Sequence, residues 1–278
     1  MMIEINGNRL YVEDHGPRDG FPIIVHHGAP GLGSHTEPKR SFVPFSDTYR
    51  VIIFDARGSG VSEGNPPFTH EQWAADIDGL RAHFGFEQIV MAGGSYGGFM
   101  SMEYATRYPN RVRAMVLRDT SPDFHHHATA NENALKSSRV KVDPEKLARV
   151  MEGRCLSDED MRECYKEIQP LYNHNWDPEK DAERLNSIIF RHETHNFAFT
   201  HNLKNYDLKP LLPSLKIPTL ITVGRHDWIT PVSCSETIHR LIPKSRLVIF
   251  EKSGHSPQLE EPERFQAVVR EFLAEHIA

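Results

Sequence analysis

Hydrophobic and polar residues alternate over positions 2–14. The alternation is interrupted once, at Asn6-Gly7. Asn-Gly is a favoured two-residue connection between antiparallel strands, because both positions accept a positive φ. The pattern therefore predicts a β-hairpin at the beginning of the chain.

Runs of consecutive hydrophobic residues follow, separated by segments of helical periodicity. Such runs are typical of strands that are buried on both faces. They lie at 21–25, 51–54, 89–92, 114–117, 219–223 and 247–250. Trp73, Ile77 and Leu80 share one helical face, and further helices are expected up to about residue 107, near 233–242 and close to the carboxyl end. Alternating strands and helices predict an α/β protein whose strands are mostly parallel.

This alternation stops between about residues 122 and 207. The stretch has no buried strand run, is rich in charged residues and histidine, and shows mixed helical periodicity. We therefore predict one core domain formed by 1–121 and 208–278, with a helical cap at 122–207 inserted between its halves. We expect hydrophobic side chains of this cap to line part of a pocket over the active site. The expected residues are Leu171, Tyr172, Trp176, Phe190, Phe197 and Phe199.

Composition and charge argue against several classes of function. The net charge is −6, and no cluster of lysine and arginine forms a basic surface for nucleic acid. No window approaches the ~20 apolar residues that span a bilayer, and the amino terminus does not resemble a secretory signal. The 3 cysteines are too few for a disulfide framework. We expect a cytoplasmic protein that binds neither nucleic acid nor membrane, while its oligomeric state stays open.

Ser95 lies in a motif that carries chemistry. Residues 93–97 read Gly-Gly-Ser-Tyr-Gly and match the pattern G-x-S-x-G. A predicted strand precedes the motif and a helix follows, which is the context of a nucleophile elbow. The sharp turn at such a serine strains the backbone and requires small neighbours. A nucleotide-binding turn is disfavoured, because the chain has neither G-x-G-x-x-G nor a Walker lysine. We predict that Ser95 is a nucleophile.

A serine nucleophile needs a base to accept its proton and a carboxylate to orient that base. In folds with this elbow the chain order is serine, then acid, then histidine. Asp227 and His255 appear in that order, and each follows a predicted strand. We predict His255 as general base and Asp227 as its orienting acid. The alternatives are His226 for the base and Asp119 or Asp123 for the acid.

Acyl transfer also requires hydrogen-bond donors for the negative oxygen of the intermediate. One donor is expected to be the backbone N–H of Tyr96, directly after the nucleophile. The other should come from the loop at 27–31, which reads His-Gly-Ala-Pro-Gly. Ala29 is the first candidate in this loop and Gly28 the second.

Taken together, these motifs resemble the prolyl iminopeptidase group of α/β-hydrolases. That group carries the motifs HGGPG, D-x-RG-x-G-x-S, GGSWGG, GR-x-D and GH. The chain has, in the same order, HGAPG at 27–31, DARGSGVS at 55–62, GGSYGG at 93–98, GRHD at 224–227 and SGH at 253–255. The resemblance implies the α/β-hydrolase fold, a mostly parallel central sheet flanked by helices, with a helical cap insertion. Ala29 and Tyr96 depart from the group, which has glycine and tryptophan there, and the insertion carries no matching motif.

The resemblance also implies that acidic residues of the cap hold the free amine of the substrate. Candidate acids are Glu132, Glu163, Glu167, Glu183 and Glu193. These residues are compatible with two hydrolase functions. One is an aminopeptidase or amidase that releases a small amino-terminal residue, proline foremost. The other is a carboxylester or lactone hydrolase of a small apolar metabolite.

Other functions fit the residues less well. A carbon–carbon bond hydrolase shares much of this machinery, and a non-catalytic binding protein of the same fold typically lacks a triad member. The substrate is expected to be a small molecule or a short peptide. The triad chemistry needs neither a metal ion nor a cofactor. Adjacent histidines such as those at 125–127 point in different directions, so no metal site is predicted there.

Overall fold

The computed structural model describes residues 1–277, and its first element is the predicted hairpin. Strand β1 (Met2–Ile5) pairs antiparallel with β2 (Asn8–His15). Asn6 and Gly7 have φ angles of 49° and 70°, as the two-residue turn requires. β2 also pairs antiparallel with β4 (Arg50–Phe54), so the hairpin forms one edge of a larger sheet.

Six strands make up the parallel part of that sheet. They are β3 (Pro22–His26), β4, β5 (Ile89–Gly94), β6 (Val112–Arg118), β7 (Thr219–Gly224) and β8 (Ser245–Phe250). The order across the sheet is β1-β2-β4-β3-β5-β6-β7-β8. The chain moves from β3 outward to β4 and then returns to place β5 on the other side of β3. The switch point therefore lies between β3 and β5, where ligands bind in open α/β sheets.

Helices connect the strands and fill the segment between β6 and β7. They are α1 (Thr36–Phe42), α2 (His70–His83), α3 (Tyr96–Arg107), α4 (His126–Leu135), α5 (Pro144–Met151), α6 (Asp158–Ile168), α7 (Pro178–Ser187), α8 (His192–Phe197), α9 (Val232–Leu241), α10 (Pro257–Glu260) and α11 (Pro262–His276). The short helices α1 and α10 were not predicted, because neither is long enough to show a periodic pattern. Within residues 1–277, none of these helices has the length and apolar character needed to cross a membrane.

Hydrophobic side chains pack against both faces of the sheet. Ile24 of β3 lies in one cluster with Trp73 of α2. Ile23, its neighbour, lies in the opposite cluster with Phe265 and Phe272 of α11. Because successive residues of a strand point to opposite faces, a strand covered on both sides needs an uninterrupted hydrophobic run. The α/β class predicted from those runs is confirmed.

Residues 122–207, the helical segment, contain α4 to α8 and a hydrophobic cluster of their own. Met161, Tyr165 and Ile168 of α6 pack there, together with Trp228 from the loop after β7. An isolated antiparallel bridge joins residues 123 and 207, so the two ends of the segment lie side by side. The segment therefore leaves and re-enters the rest of the chain at one place.

Candidate active site

Ser95 occupies the sharp turn between β5 and α3. Its φ is 55° and its ψ is −124°, an unfavourable conformation for a residue with a side chain. The N–H of Ser95 donates to the carbonyl oxygen of Arg118 at 2.9 Å, and the hydroxyl of Thr120 donates to the carbonyl oxygen of Ser95 at 2.9 Å. Hydrogen bonds to β6 and the loop after it therefore hold the strained turn in place.

The glycines around Ser95 allow the backbone to pass close to its neighbours. A Cβ atom on Gly97 would collide with the carbonyl oxygen of His26 in β3, and one on Gly93 would collide with the carbonyl oxygen of Gly97. The beginning of α3 thus packs directly on the backbone of the central strands. This contact explains why the motif needs glycine on both sides of the serine.

His255 and Asp227 lie in contact in the loops after β8 and β7. The Nδ1 atom of His255 is 2.8 Å from Oδ2 of Asp227, and since a carboxylate only accepts, Nδ1 donates. The hydroxyl of Thr230 also donates to Oδ2 at 2.8 Å. Burial alone raises the pKa of Asp227, but His255 and the hydrogen bonds from Thr230 outweigh it and place this pKa below its ordinary value. Asp227 is therefore ionised, and Nε2 of His255 is left as the basic nitrogen.

A second carboxyl group, that of Asp119, lies beside this pair. Ligand atoms of Asp119, Asp227 and His255 all lie within 4.8 Å of one another. The Oδ1 atom of Asp119 accepts a hydrogen bond of 2.9 Å from the N–H of Gly224. Burial and the neighbouring negative charge of Asp227 raise the pKa of Asp119. The imidazole of His255 bonds to Asp227 and not to Asp119, so the geometry favours Asp227 as the predicted acid.

The other alternative residues lie away from this pair. Asp123 forms an ion pair of 2.6 Å with Lys209. His226 is exposed, and its ring stacks on that of His174 with 3.9 Å between centroids. Neither contacts the imidazole of His255, so the geometry favours the residues first predicted.

Within residues 1–277, one set of side chains has the spacing of a metal site, and it consists of Asp119, Asp227 and His255. Hydrogen bonds from His255 and Thr230 already occupy the Asp227 carboxylate. In the histidine run, His126 and His127 bond to different backbone carbonyl oxygens, at 2.7 Å each. The run therefore does not converge on one point.

The loop after β3 faces Ser95. A Cβ atom built on Gly28 would lie 4.0 Å from Cβ of Ser95. Among the hydrogen bonds of residues 1–277, the backbone N–H groups of Ala29 and Tyr96 donate to no acceptor. Two free donors thus flank the serine, and their role as an oxyanion hole stays a prediction.

The segment at 55–62 supports that loop. The N–H of Ala56 donates to Nε2 of His27 at 3.0 Å, so Nδ1 carries the proton and donates to the carbonyl oxygen of Gly28 at 2.9 Å. Burial lowers the pKa of His27 and keeps it neutral. The hydroxyl of Ser59 accepts from the N–H of Gly31 at 3.0 Å. These bonds fix the loop relative to β4.

Two cavities meet at Ser95. The larger, of about 110 Å³, also contains His255, and charged and polar side chains form part of its wall. That wall includes Glu37, Arg40, Arg118, Tyr165, Arg184 and Gln258. The smaller, of about 50 Å³, is mostly apolar. Its wall includes Phe99, Val150, Met151, Phe199, Leu203 and Ile229.

The expectation for the hydrophobic residues of the helical segment was correct in part. Tyr172 lines both cavities and Phe199 lines the smaller one. The other four lie elsewhere, because Trp176 is exposed, Leu171 and Phe190 pack inside the segment, and the ring of Phe197 contacts that of Phe68. Periodicity identifies buried residues but does not tell a cavity wall from a core.

None of the five glutamates considered in the helical segment lines either cavity. The carboxylate that does is Glu37 of α1, a helix that the sequence pattern missed. Its Oε1 forms an ion pair of 2.6 Å with Arg118, which is buried at the end of β6. Neither Arg118 nor Glu37 belongs to a motif that the sequence pattern identifies, so neither was predicted.

Comparisons with known proteins agree with this geometry. A family described as the alpha/beta hydrolase fold matches residues 22–262. The proline iminopeptidase PfmaB of Pestalotiopsis fici is 33% identical over 279 residues, covering 98% of each chain. A thermophilic esterase from Thermogutta terrifontis superposes with a TM-score of 0.79 at 29% identity over 99% of both chains. A meta-cleavage product hydrolase from Pseudomonas fluorescens superposes with a TM-score of 0.78 at 25% identity, over 99% of this chain and 97% of the other.

Proposed function

The chain belongs to the alpha/beta hydrolase fold family and is prolyl iminopeptidase-like, and from this premise we propose that it is a serine hydrolase with Ser95, His255 and Asp227 as its catalytic triad. The observation that carries the proposal is the 2.8 Å contact between His255 and Asp227, with His255 and the strained Ser95 lining one cavity. Such an arrangement supplies a nucleophile, a base and an orienting charge.

In the proposed reaction, Nε2 of His255 accepts the hydroxyl proton of Ser95 as Oγ bonds to the substrate carbonyl carbon. The carbonyl oxygen becomes negative, and the N–H groups of Ala29 and Tyr96 donate to it. His255 then gives the proton to the leaving group as the scissile bond breaks, which forms an acyl-enzyme. Water repeats the sequence and releases the acid. Asp227 stabilises the imidazolium in both halves.

We propose that the helical segment acts as a cap over this site. Its Tyr172 lines both cavities, and Tyr165 and Arg184 line the larger one. The core domain, 1–121 with 208–278, then supplies the reacting groups, and both the core and the cap contribute to the walls of the cavities. Fixed groups in a cavity of this kind set orientation and specificity.

The first candidate activity is release of a small amino-terminal residue, proline foremost, from a peptide or amide. PfmaB and several other relatives named proline iminopeptidase support this candidate. An amino-terminal amine requires a carboxylate, and Glu37 is the sole acidic side chain in the walls of the two cavities formed by residues 1–277. Glu37 is therefore the group expected to hold it.

The second candidate is hydrolysis of a carboxylic ester or lactone. The observation in its favour is the charge of the larger cavity, where three arginines face one glutamate that is already paired with Arg118. A positively charged wall is less suited to a cationic amine than to a neutral or anionic substrate. The similarity to the Thermogutta esterase points the same way.

Covalent labelling tests the serine mechanism. The wild-type protein should react with a serine-directed fluorophosphonate, and Ser95→Ala should abolish both labelling and turnover. Ser138→Ala, at an exposed position outside both cavities, is the matched control and should keep both. Labelling or turnover retained by Ser95→Ala would overturn the proposal.

A substrate panel separates the two candidate activities. Proline and alanine arylamides are compared with short aryl esters and lactones. Fast arylamide turnover that requires a free amine, and that falls at least tenfold in Glu37→Gln, supports the aminopeptidase. Turnover of esters or lactones alone supports the second candidate.

A further inference from the structure

The larger cavity contains a cation that has no counter-ion. Arg184 of α7 lines the cavity, and it forms no ion pair within residues 1–277. Its Nη1 atom is buried and has no hydrogen-bond partner. A guanidinium stays charged, so leaving a buried N–H unpaired costs about 1–3 kcal/mol or more. This N–H is therefore available to an acceptor that enters the cavity.

Neighbouring groups hold the Arg184 side chain without neutralising it. Its guanidinium carbon lies 5.4 Å from the ring centre of Tyr172, a cation–π distance. The nearest acid on its own helix, Asp181, accepts instead from the indole N–H of Trp176 at 2.9 Å. Glu37, across the cavity, is paired with Arg118. Arg184 is thus positioned by an aromatic ring while its charge stays available.

A second unpaired donor lies in the same wall. The hydroxyl of Tyr165 is buried and has no hydrogen-bond partner within residues 1–277. The ring centroids of Tyr165 and Tyr172 are 5.5 Å apart, and the ring of Tyr172 contacts the Arg184 guanidinium. Tyr165 therefore packs in the same aromatic cluster. A cationic N–H and a phenolic O–H together match the two oxygens of a carboxylate. Arg40, exposed at the same cavity and without an ion pair, adds positive charge.

We infer that the substrate carries a carboxylate, which binds Arg184 and Tyr165 while its scissile carbonyl lies at Ser95. This inference rests on the proposed serine hydrolase and names the class of its substrate. The carboxylate belongs either to the acyl part or to the leaving group. The smaller apolar cavity then takes the uncharged remainder of the molecule.

Two matched pairs of substrates test the inference and separate the two sources of the carboxylate. In the acyl arm, a monoaryl ester of glutaric acid is compared with the aryl ester of pentanoic acid. In the leaving-group arm, prolyl-glycine is compared with prolyl-glycinamide. The wild-type kcat/KM should favour the carboxylate in one arm by at least about tenfold, the effect of roughly 1.4 kcal/mol. Equal rates in both arms would overturn the inference.

Variants tie that preference to the proposed residues. Arg184→Met should remove the preference, mainly through a higher KM for the carboxylate substrate of the pair. Tyr165→Phe should weaken the preference to a smaller degree. Arg154→Met replaces an exposed arginine of the helical segment that lines neither cavity, and it should keep the preference. A preference that survives in Arg184→Met contradicts the inference.

Binding without turnover separates failure of this inference from failure of the proposed chemistry. In calorimetry on the wild-type protein, glutarate should bind at least tenfold more tightly than glutaramide, and Arg184→Met should lose the difference. If fluorophosphonate does not label Ser95 but glutarate binding follows this pattern, the chemistry is wrong and the carboxylate site stands. If labelling succeeds and glutarate binds no better than glutaramide, the carboxylate site is wrong.

Discussion

The backbone N–H of His255 donates to the carbonyl oxygen of Tyr172 at 2.7 Å. The two rings also contact each other, with centroids 5.6 Å apart at 76°. His255 belongs to the loop after β8, whereas Tyr172 belongs to the helical segment and lines both cavities. The position of the proposed base is thus coupled directly to a residue that lines both cavities.

Gly254 makes this contact sterically feasible, and its replacement should lower activity. A Cβ atom there would lie 2.5 Å from the carbonyl oxygen of Tyr172 and 2.9 Å from the backbone nitrogen of His174. Gly254→Ala must therefore shift the loop that carries His255. We expect kcat to fall by about tenfold to a hundredfold, the effect of a displacement near 1 Å. Steady-state kinetics with the best substrate of the panel measures it.

The control for this prediction is Gly64→Ala. A Cβ atom on the exposed Gly64 meets its nearest neighbour at an ordinary 3.5 Å. That variant should keep wild-type kcat. Unchanged kcat in Gly254→Ala would mean that the loop relaxes without moving His255.

Asp227→Asn tests the role of the orienting acid. An amide at this position can present its N–H to Nδ1 of His255, which favours the tautomer that cannot accept the Ser95 proton. We expect kcat to fall by about 10³–10⁴ with a small change in KM. Circular dichroism and thermal unfolding should show that the variant is folded. A loss below tenfold would exclude Asp227 from the triad.

The residues of the proposed triad could be predicted because each follows a strand that a hydrophobic run identifies. Ser95, Asp227 and His255 follow β5, β7 and β8, whose carboxyl ends meet at one edge of the sheet. Parallel strands impose that proximity without any knowledge of side-chain packing. Local pattern and chain order therefore predict that these three residues lie at one edge of the sheet.

The residues of the cavity walls could not be predicted in the same way. Arg184 reaches the cavity because α7 packs beside Tyr172. The local sequence pattern does not predict that packing. Glu37 lies on a helix of seven residues that interrupts a loop rich in glycine and proline. The walls of the cavities are formed by contacts between segments that lie far apart in sequence.

Asp119 should make the stability of the protein depend on pH. Burial and the charge of Asp227 raise its pKa in the folded state. An acid whose pKa is higher in the folded state stays protonated there at pH values at which the unfolded chain has lost the proton. The free energy of unfolding therefore falls as the pH rises from about 3.9, the ordinary pKa of aspartic acid, to the pKa of the folded state. This loss is absent in Asp119→Asn, whose amide oxygen can still accept from Gly224.

We therefore expect the free energy of unfolding of Asp119→Asn, relative to wild type, to increase between pH 5 and pH 8. The increase should be on the order of 1–3 kcal/mol, since one pKa unit corresponds to about 1.4 kcal/mol. Urea unfolding at the two pH values measures it. Asp47→Asn is the control, because hydrogen bonds from Arg270 lower the pKa of that exposed acid and leave it ionised throughout this range. A relative stability of Asp119→Asn that falls with pH would refute the assignment.

The buried ion pair of Arg57 and Asp76 should stabilise the segment at 55–62, which supports the loop after β3. Both side chains are 2% exposed, and Nε and Nη2 of Arg57 donate to the two carboxylate oxygens at 2.8 and 2.9 Å. Asp76→Ala leaves a buried guanidinium without its charge partner, which typically costs about 3–5 kcal/mol. Urea unfolding at pH 7 should show a loss of that size.

Arg246→Met breaks a pair whose side chains are 41% and 55% exposed, and it should change stability by less than about 1 kcal/mol. Equal effects of the two substitutions would mean that water or other acceptors replace Asp76 around Arg57.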